Sequence, residues 1–154
     1  MRLMLRKSLA RQEHGDTLVE VLIAMAVISL VLAGAYVTTN RSLLAARDAQ
    51  ERGNALKLVE SQIEQLKGVV ANDPDAIFVS APSPFCIINT NAVTTSTDPK
   101  CKVDGSGNPT TVEPAYELGI VRDAGTDTFT ITNRWTSVRG DVTNQVQMKY
   151  RMHQ

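Results

Sequence analysis

Glu20 is the residue of this sequence whose position most needs a chemical explanation. It stands third in the run LVEVLIAMAVISLVLAGAYV, residues 18–37, and is the only charged side chain there. A carboxylate in hydrocarbon costs on the order of 2.5–3.5 kcal/mol at the middle of a helix, and less near an edge. A buried charge is normally kept where a cation meets it. Other residue types able to do chemistry are sparse. Cys86 and Cys101 have 14 residues between them. That spacing fits neither a CxxC redox pair nor a four-ligand zinc site. Two readings stand for them. If the C-terminal region is exported, they close a disulfide loop that contributes roughly 3 kcal/mol in the chain-entropy picture. Otherwise they are two unpaired buried thiols. The two histidines, His14 and His153, lie near a chain end or a cut, so a histidine-based active site is not expected. No Ser/His/Asp, Cys/His or paired-carboxylate constellation is visible, and no glycine-rich phosphate loop. The expectation is a protein that is not an enzyme, with no cofactor and no metal.

The elements that must position Glu20 follow from patterning. Twenty residues of helix rise about 30 Å, the thickness of a hydrocarbon core. The run 18–37 has no polar face, so it reads as a transmembrane helix rather than a soluble core helix. No proline occurs before residue 74, so nothing breaks the helix. Leu56, Val59, Ile63, Leu66 and Val70 recur at spacings of 3 and 4, which is one apolar helix face. Glu60 and Glu64, with Arg52, Lys57 and Lys67, supply a solvated side. Gly68 fits a C-cap glycine. The spacing predicts one helix over 17–67.

All six prolines fall between Pro74 and Pro114, in a stretch rich in Ser, Thr, Asn and Asp, so that stretch is expected to be mostly loop. It holds the short apolar segments 77–79 and 85–88. Three strands follow: YELGIVR from Tyr116, TFTITNRWTSV from Thr128 and NQVQMKYRM from Asn144. Phe129, Ile131 and Trp135 share one parity, with Asn133 interrupting. Val146, Met148, Tyr150 and Met152 alternate with Gln147, Lys149 and Arg151. Turn residues link the strands as antiparallel hairpins with one polar face. The fold class is therefore α+β, a long N-terminal helix whose amphipathic half covers a small antiparallel sheet.

Formal net charge is zero but unevenly placed. Arg2, Arg6, Lys7 and Arg11 against Glu13 give residues 1–15 a charge of +3, leaving −3 on the remainder. A mildly acidic body gives no electrostatic reason to bind nucleic acid. Lysine and arginine are balanced on the two sides of the apolar run, so loop charge does not orient it.

Gly15, Asp16, Thr17, Leu18, Val19 and Glu20, followed by VLIAMAVISLVLAGA, resemble the N-terminus of type IV pilins and type II secretion pseudopilins. The resemblance is specific over residues 11–40. It extends more weakly through LLAARDAQERGNALKLVESQIEQLK, which is similar to the helix of minor pilins and minor pseudopilins. It says little about 69–154. In that family a membrane peptidase cuts after the glycine on the cytoplasmic side, and the apolar run is retained. The resemblance implies a leader 1–15, a pilin helix 16–68 (transmembrane over about 18–37, amphipathic over 41–68) and a globular β domain 69–154. It implies cleavage between Gly15 and Asp16, N-methylation of the new amine of Asp16, and a registry role for Glu20. It also implies the partners: prepilin peptidase, other pilin or pseudopilin subunits, a membrane assembly platform driven by a separate ATPase, and the bilayer before assembly. The chain would sit in the inner or plasma membrane as a single-pass protein, body outside the cytoplasm, and in a surface pilus or pseudopilus after assembly. Two features depart from the pattern: Asp16 stands where phenylalanine or methionine is usual, and Val37 where many pilins have proline.

Two other readings of the N-terminus compete. One is a secretory signal peptide cut after Ala33-Gly34-Ala35, although the apolar run is longer than such peptides need. The other is the anchor of a single-pass extracellular binding or sensor protein. Weaker signals have simpler explanations. Arg139-Gly140-Asp141 has the residues of a hairpin turn. Asp104, Ser106 and Asn108 alternate like the start of a calcium loop, but Pro109 and Ala115 stand where its glycine and its final acid belong. The sequon Asn40-Arg41-Ser42 lies at the membrane exit of the helix, where modification is not expected.

Overall fold

The computed structural model describes residues 16–88, 91–137, 140 and 142–152. The leader with Gly15, and also Arg139, Asp141 and His153, lie outside the described residues. Two units divide the chain between Leu44 and Ala45, and helix α1, Asp16–Asn72, contributes to both.

Residues 16–44 of the first unit are one uninterrupted helix. No proline interrupts it, and beyond its first turn its backbone N–H groups are satisfied within the element. The second unit begins with the remainder of α1. This helix runs past Gly68, which lies in its interior rather than at its cap. Val69 is buried against the core, which favours the extra turn, and Asn72 Nδ2 donates to Gly68 O at 2.8 Å. A five-residue helix α2, Pro74–Phe78, follows at once. Asp73 caps it by accepting from Ala76 N at 3.3 Å, and Pro74 opens it with a φ suited to the first turn.

A six-stranded antiparallel sheet makes up the rest: β1 Phe85–Ile87, β2 Val93–Thr95, β3 Lys102–Val103, β4 Tyr116–Asp123, β5 Thr128–Thr136 and β6 Thr143–Arg151. The order is β2-β1-β4-β5-β6, with β3 also paired to β4. The three long strands fall where the alternation places them. Their register runs through Tyr116↔Trp135 and Ile120↔Ile131, then Ile131↔Met148 and Phe129↔Tyr150. The proline-bearing stretch is less loop-like than its composition suggests. β1 and β3 take successive positions along one side of β4, through Phe85↔Ile120 and Val103↔Tyr116. Cys86 and Cys101 are bonded, with Cα atoms 6.0 Å apart, so the disulfide ties β1 to the 3-10 turn Pro99–Cys101 that leads into β3. Strands of two and three residues cannot hold themselves. Here β4 and the disulfide hold them.

The core lies between α1 and the sheet. One cluster joins Val59, Leu66 and Val69 to Phe85, Ile87, Ile120, Phe129 and Ile131. A second joins Ala55 and Leu58 to the disulfide, Val103, Tyr116, Leu118 and Trp135. The buried face of α1 is thus rotated from the one its apolar spacing predicts. Val59 and Leu66 are common to both, but Leu56, Ile63 and Val70 are only half-buried, and Glu51, Ala55 and Gln62 lie inside. The physical reason is that three polar groups on that face have partners in the sheet. Gln62 donates from Nε2 to Ile87 O at 2.7 Å and accepts Ile87 N at Oε1 at 3.0 Å, so its amide pairs with β1 as a peptide unit would. Asn133 Nδ2 donates to Ala55 O at 3.2 Å. Trp135 Nε1 donates to Glu51 Oε2 at 3.1 Å. A buried polar group is tolerated when it is hydrogen-bonded, and these contacts fix the helix on the sheet.

Candidate functional site: the apolar head of the long helix

The first unit carries the candidate site. From Thr17 to Leu43 every residue is exposed, and the large apolar side chains are bare of protein: Leu30 is 77% exposed and Leu18 68%. The segment is long and apolar enough to cross a membrane. Its polar atoms are handled locally. Ser29 Oγ donates to Met25 O at 2.7 Å and Thr38 Oγ1 to Gly34 O at 2.9 Å. Back-bonding of this kind lets a hydroxyl enter hydrocarbon with its donor satisfied. Tyr36 stands at the far end of the run, where a phenol suits a membrane interface.

Glu20 is the exception. It has no back-bond of its own, and its side chain is exposed on the second turn of α1. Asp16 is the first residue of that helix, so the two positions are four residues, about 6 Å of rise, apart. Helix N-termini carry about half a positive charge from their unpaired N–H groups. Glu20 therefore lies near the positive end of the helix. Cleavage after Gly15 would add a free ammonium at Asp16. That bond falls outside the described residues.

Cys86 and Cys101 come together, but at a structural clip in the second unit. Among the described residues no group of three or more His, Cys, Asp or Glu could hold a metal ion. The Asp104 loop has a structural use for its carboxylate: Oδ1 accepts Ser106 N at 2.8 Å and Asn108 N at 3.0 Å. Those backbone donors hold its pKa below the ordinary carboxylate range. Gly107 sits at φ +88°, and a Cβ on Gly105 would come within 2.8 Å of Asn54 Nδ2, so the glycines let this loop close on α1. Trp135 is sheet core, as its parity indicates, and Tyr150 is half-buried on β6, opposite Phe129. The polar pins at Glu51, Gln62 and Asn133 were not visible in the sequence. Only the chance that Asn133 interrupts an apolar parity hints at one of them.

Residues 11–36 match the family model of the prokaryotic N-terminal methylation motif. No curated protein and no solved structure matches the chain. The matched segment contains Gly15, Asp16, Glu20 and most of the exposed apolar run. By that motif, the chain carries the N-terminal signal of type IV pilins and pseudopilins.

Proposed function

We propose that this chain is a minor pilin or pseudopilin subunit. A prepilin peptidase cuts it after Gly15, the amine of Asp16 is methylated, and the helix carries the mature chain from the bilayer into a type IV pilus or type II secretion pseudopilus. The role is structural, not catalytic. The body lies outside the cytoplasm, an orientation supported by the disulfide, since such bonds persist in oxidising compartments.

The observation that carries this reading is the bare apolar head of α1, whose run 18–37 holds Glu20 as its one charged side chain. A monomeric anchor needs the apolar surface but has no use for Glu20. An assembling subunit uses both. In lipid the apolar side chains are solvated by acyl chains, and in a filament they pack against the same segment of neighbours. Glu20 then sets the registry. Staggered along a common axis, Glu20 of one subunit reaches the Asp16 ammonium of the next. Away from water, breaking such a pair strands a charge at a cost of about 3–5 kcal/mol.

The test is incorporation of Glu20→Ala into filaments, scored against total membrane-bound protein. The expected result is a loss of about a hundredfold, the equivalent of about 3 kcal/mol, with cleavage after Gly15 retained. Unchanged incorporation would remove the registry role. Secretion, twitching and transformation, scored in a deletion strain, separate a pseudopilus from a pilus.

A further inference from the structure

Between α1 and the loop of Asp104 the second unit leaves a cleft of about 530 Å³. Small-molecule sites run from about 300 to 1,000 Å³. The floor is apolar: Leu58 of α1, Ile87 of β1 with Ile88 just after it, Val103 of β3 and Leu118 of β4. Lys57, Ser61 and Gln65, four residues apart, form one wall as a single row of α1. Lys100 and Ser106 stand on the opposite wall. The loop can come this close because of Gly107, at φ +88°, where an added Cβ would meet Leu58 Cδ2 at 3.4 Å.

The rim is cationic and rich in donors. Lys57 and Lys100 are its charged side chains, and no Asp or Glu lines it among the described residues. The ion pairs among those residues use Lys67, Lys102 and Arg122, so both cleft lysines lie outside them. Carboxylates close to the second wall are engaged by the backbone. Asp98 accepts Lys100 N at 2.9 Å, and Asp104 accepts Ser106 N at 2.8 Å. Glu60 and Glu64 are on the exposed side of α1 and do not line the cleft.

The fold also fixes which way the Gln65 amide turns. Ile87 N can only donate, so the Gln62 atom it meets at 3.0 Å is Oε1, and Gln62 Nε2 is the atom that meets Ile87 O at 2.7 Å. That Nε2 gives its second hydrogen to Gln65 Oε1 at 2.9 Å. Gln65 thus keeps its own Nε2 to offer. Lys57, Lys100 and Gln65 all present donors, and the hydroxyls of Ser61 and Ser106 can join them.

An apolar floor under a cationic, acid-free rim is complementary to a molecule of the opposite design. We propose that this cleft binds an anionic amphiphile, a small apolar body that ends in a carboxylate or phosphate head. The body lies over Leu58, Ile87 and Ile88. The head meets Lys57 and Lys100 through charge-assisted hydrogen bonds. A neutral apolar molecule would use the floor alone, and a bare anion the rim alone.

Equilibrium dialysis of the full-length chain in lipid nanodiscs against labelled octanoate tests this, with empty nanodiscs subtracted for partitioning. Saturable binding of one molecule per chain is expected. Octyl phosphate, run in parallel, identifies the preferred head, and tighter binding of either one fits the site. Octanamide has the body without the charge, and inorganic phosphate the charge without the body. Each should bind at least about tenfold more weakly. Lys57→Met combined with Lys100→Met should weaken octanoate by at least about tenfold. Ser61→Trp keeps both lysines but fills the cleft, and should abolish binding. Lys149→Met, outside the cleft, should change nothing. Trp135 fluorescence reports that each variant is folded. The cleft lies wholly within the second unit, so the outcome does not depend on cleavage after Gly15 or on Glu20. No saturable binding of either amphiphile, octanamide or inorganic phosphate binding as tightly, or a Kd that either cleft variant leaves unchanged would overturn the proposal.

Discussion

Leu30 and Phe129 are both large apolar side chains, and the chain treats them in opposite ways. Leu30, in the head of α1, is 77% exposed, and Phe129, in β5, is fully buried. The second unit supplies its own apolar solvent, a core between helix and sheet. The first supplies none, and as a helix it needs only its own backbone bonds to stand. A segment with satisfied backbone and bare apolar side chains is stable where something else covers them, whether lipid or a neighbouring copy of the same helix. The same residue types thus mean stability in one unit and membrane residence or assembly in the other.

The comparison breaks if a substitution in one unit acts through the other. The largest expected effect is Phe129→Ala, which should cost about 3–5 kcal/mol by cavity formation. Leu30→Ala should leave the melting transition of the full chain in detergent within about 0.5 kcal/mol. The sole tryptophan, Trp135, lies in the second unit and reports that transition. A shift of similar size for both would mean that the apolar head is part of the folded core. Next comes replacement of both Cys86 and Cys101 by alanine. Loss of the clip should lower stability by about 3 kcal/mol, read on the same melt, and should not change retention in membranes. Gln62→Ala should cost about 1–3 kcal/mol, because Ile87 N and O would lose their partner in a buried place. Hydrogen exchange should then rise first at β1.

The smallest effect concerns pH. Asp98, Asp104 and Asp123 are each held below the usual carboxylate pKa, the first two chiefly by backbone N–H donors and the third chiefly by the Thr126 hydroxyl. A group whose folded pKa is depressed adds stability above its unfolded value, and that contribution is lost as pH falls through the folded value. Melts should therefore be flat in these groups' contribution near neutrality and decline below about pH 4. Asp104→Asn should make the acid limb shallower.

How much of this was legible in the sequence also differs between the units. The head of α1 was fully legible, because a twenty-residue apolar run with one carboxylate has few physical meanings. The three long strands were legible from strict alternation. Three features were not. The helix end was misplaced because Gly68 looks like a cap, and only the burial of Val69 carries the helix onward. β1, β2 and β3 hide in a proline-rich stretch because two- and three-residue strands exist only through a neighbour and a disulfide. The buried face of α1 was rotated in the sequence reading because Glu51 and Gln62 look like solvent-facing residues. Their partners, Trp135 and the backbone of Ile87, are 84 and 25 positions away. No local pattern encodes such a pairing.

The intact mass of the chain purified from its own membranes tests the central claim most directly. A mature chain beginning at Asp16, with or without one added methyl group, is the result expected of a processed subunit that keeps its apolar head. A mass that retains residues 1–15 would mean a plain anchor, a start at Tyr36 would mean a secreted protein, and either would contradict the account.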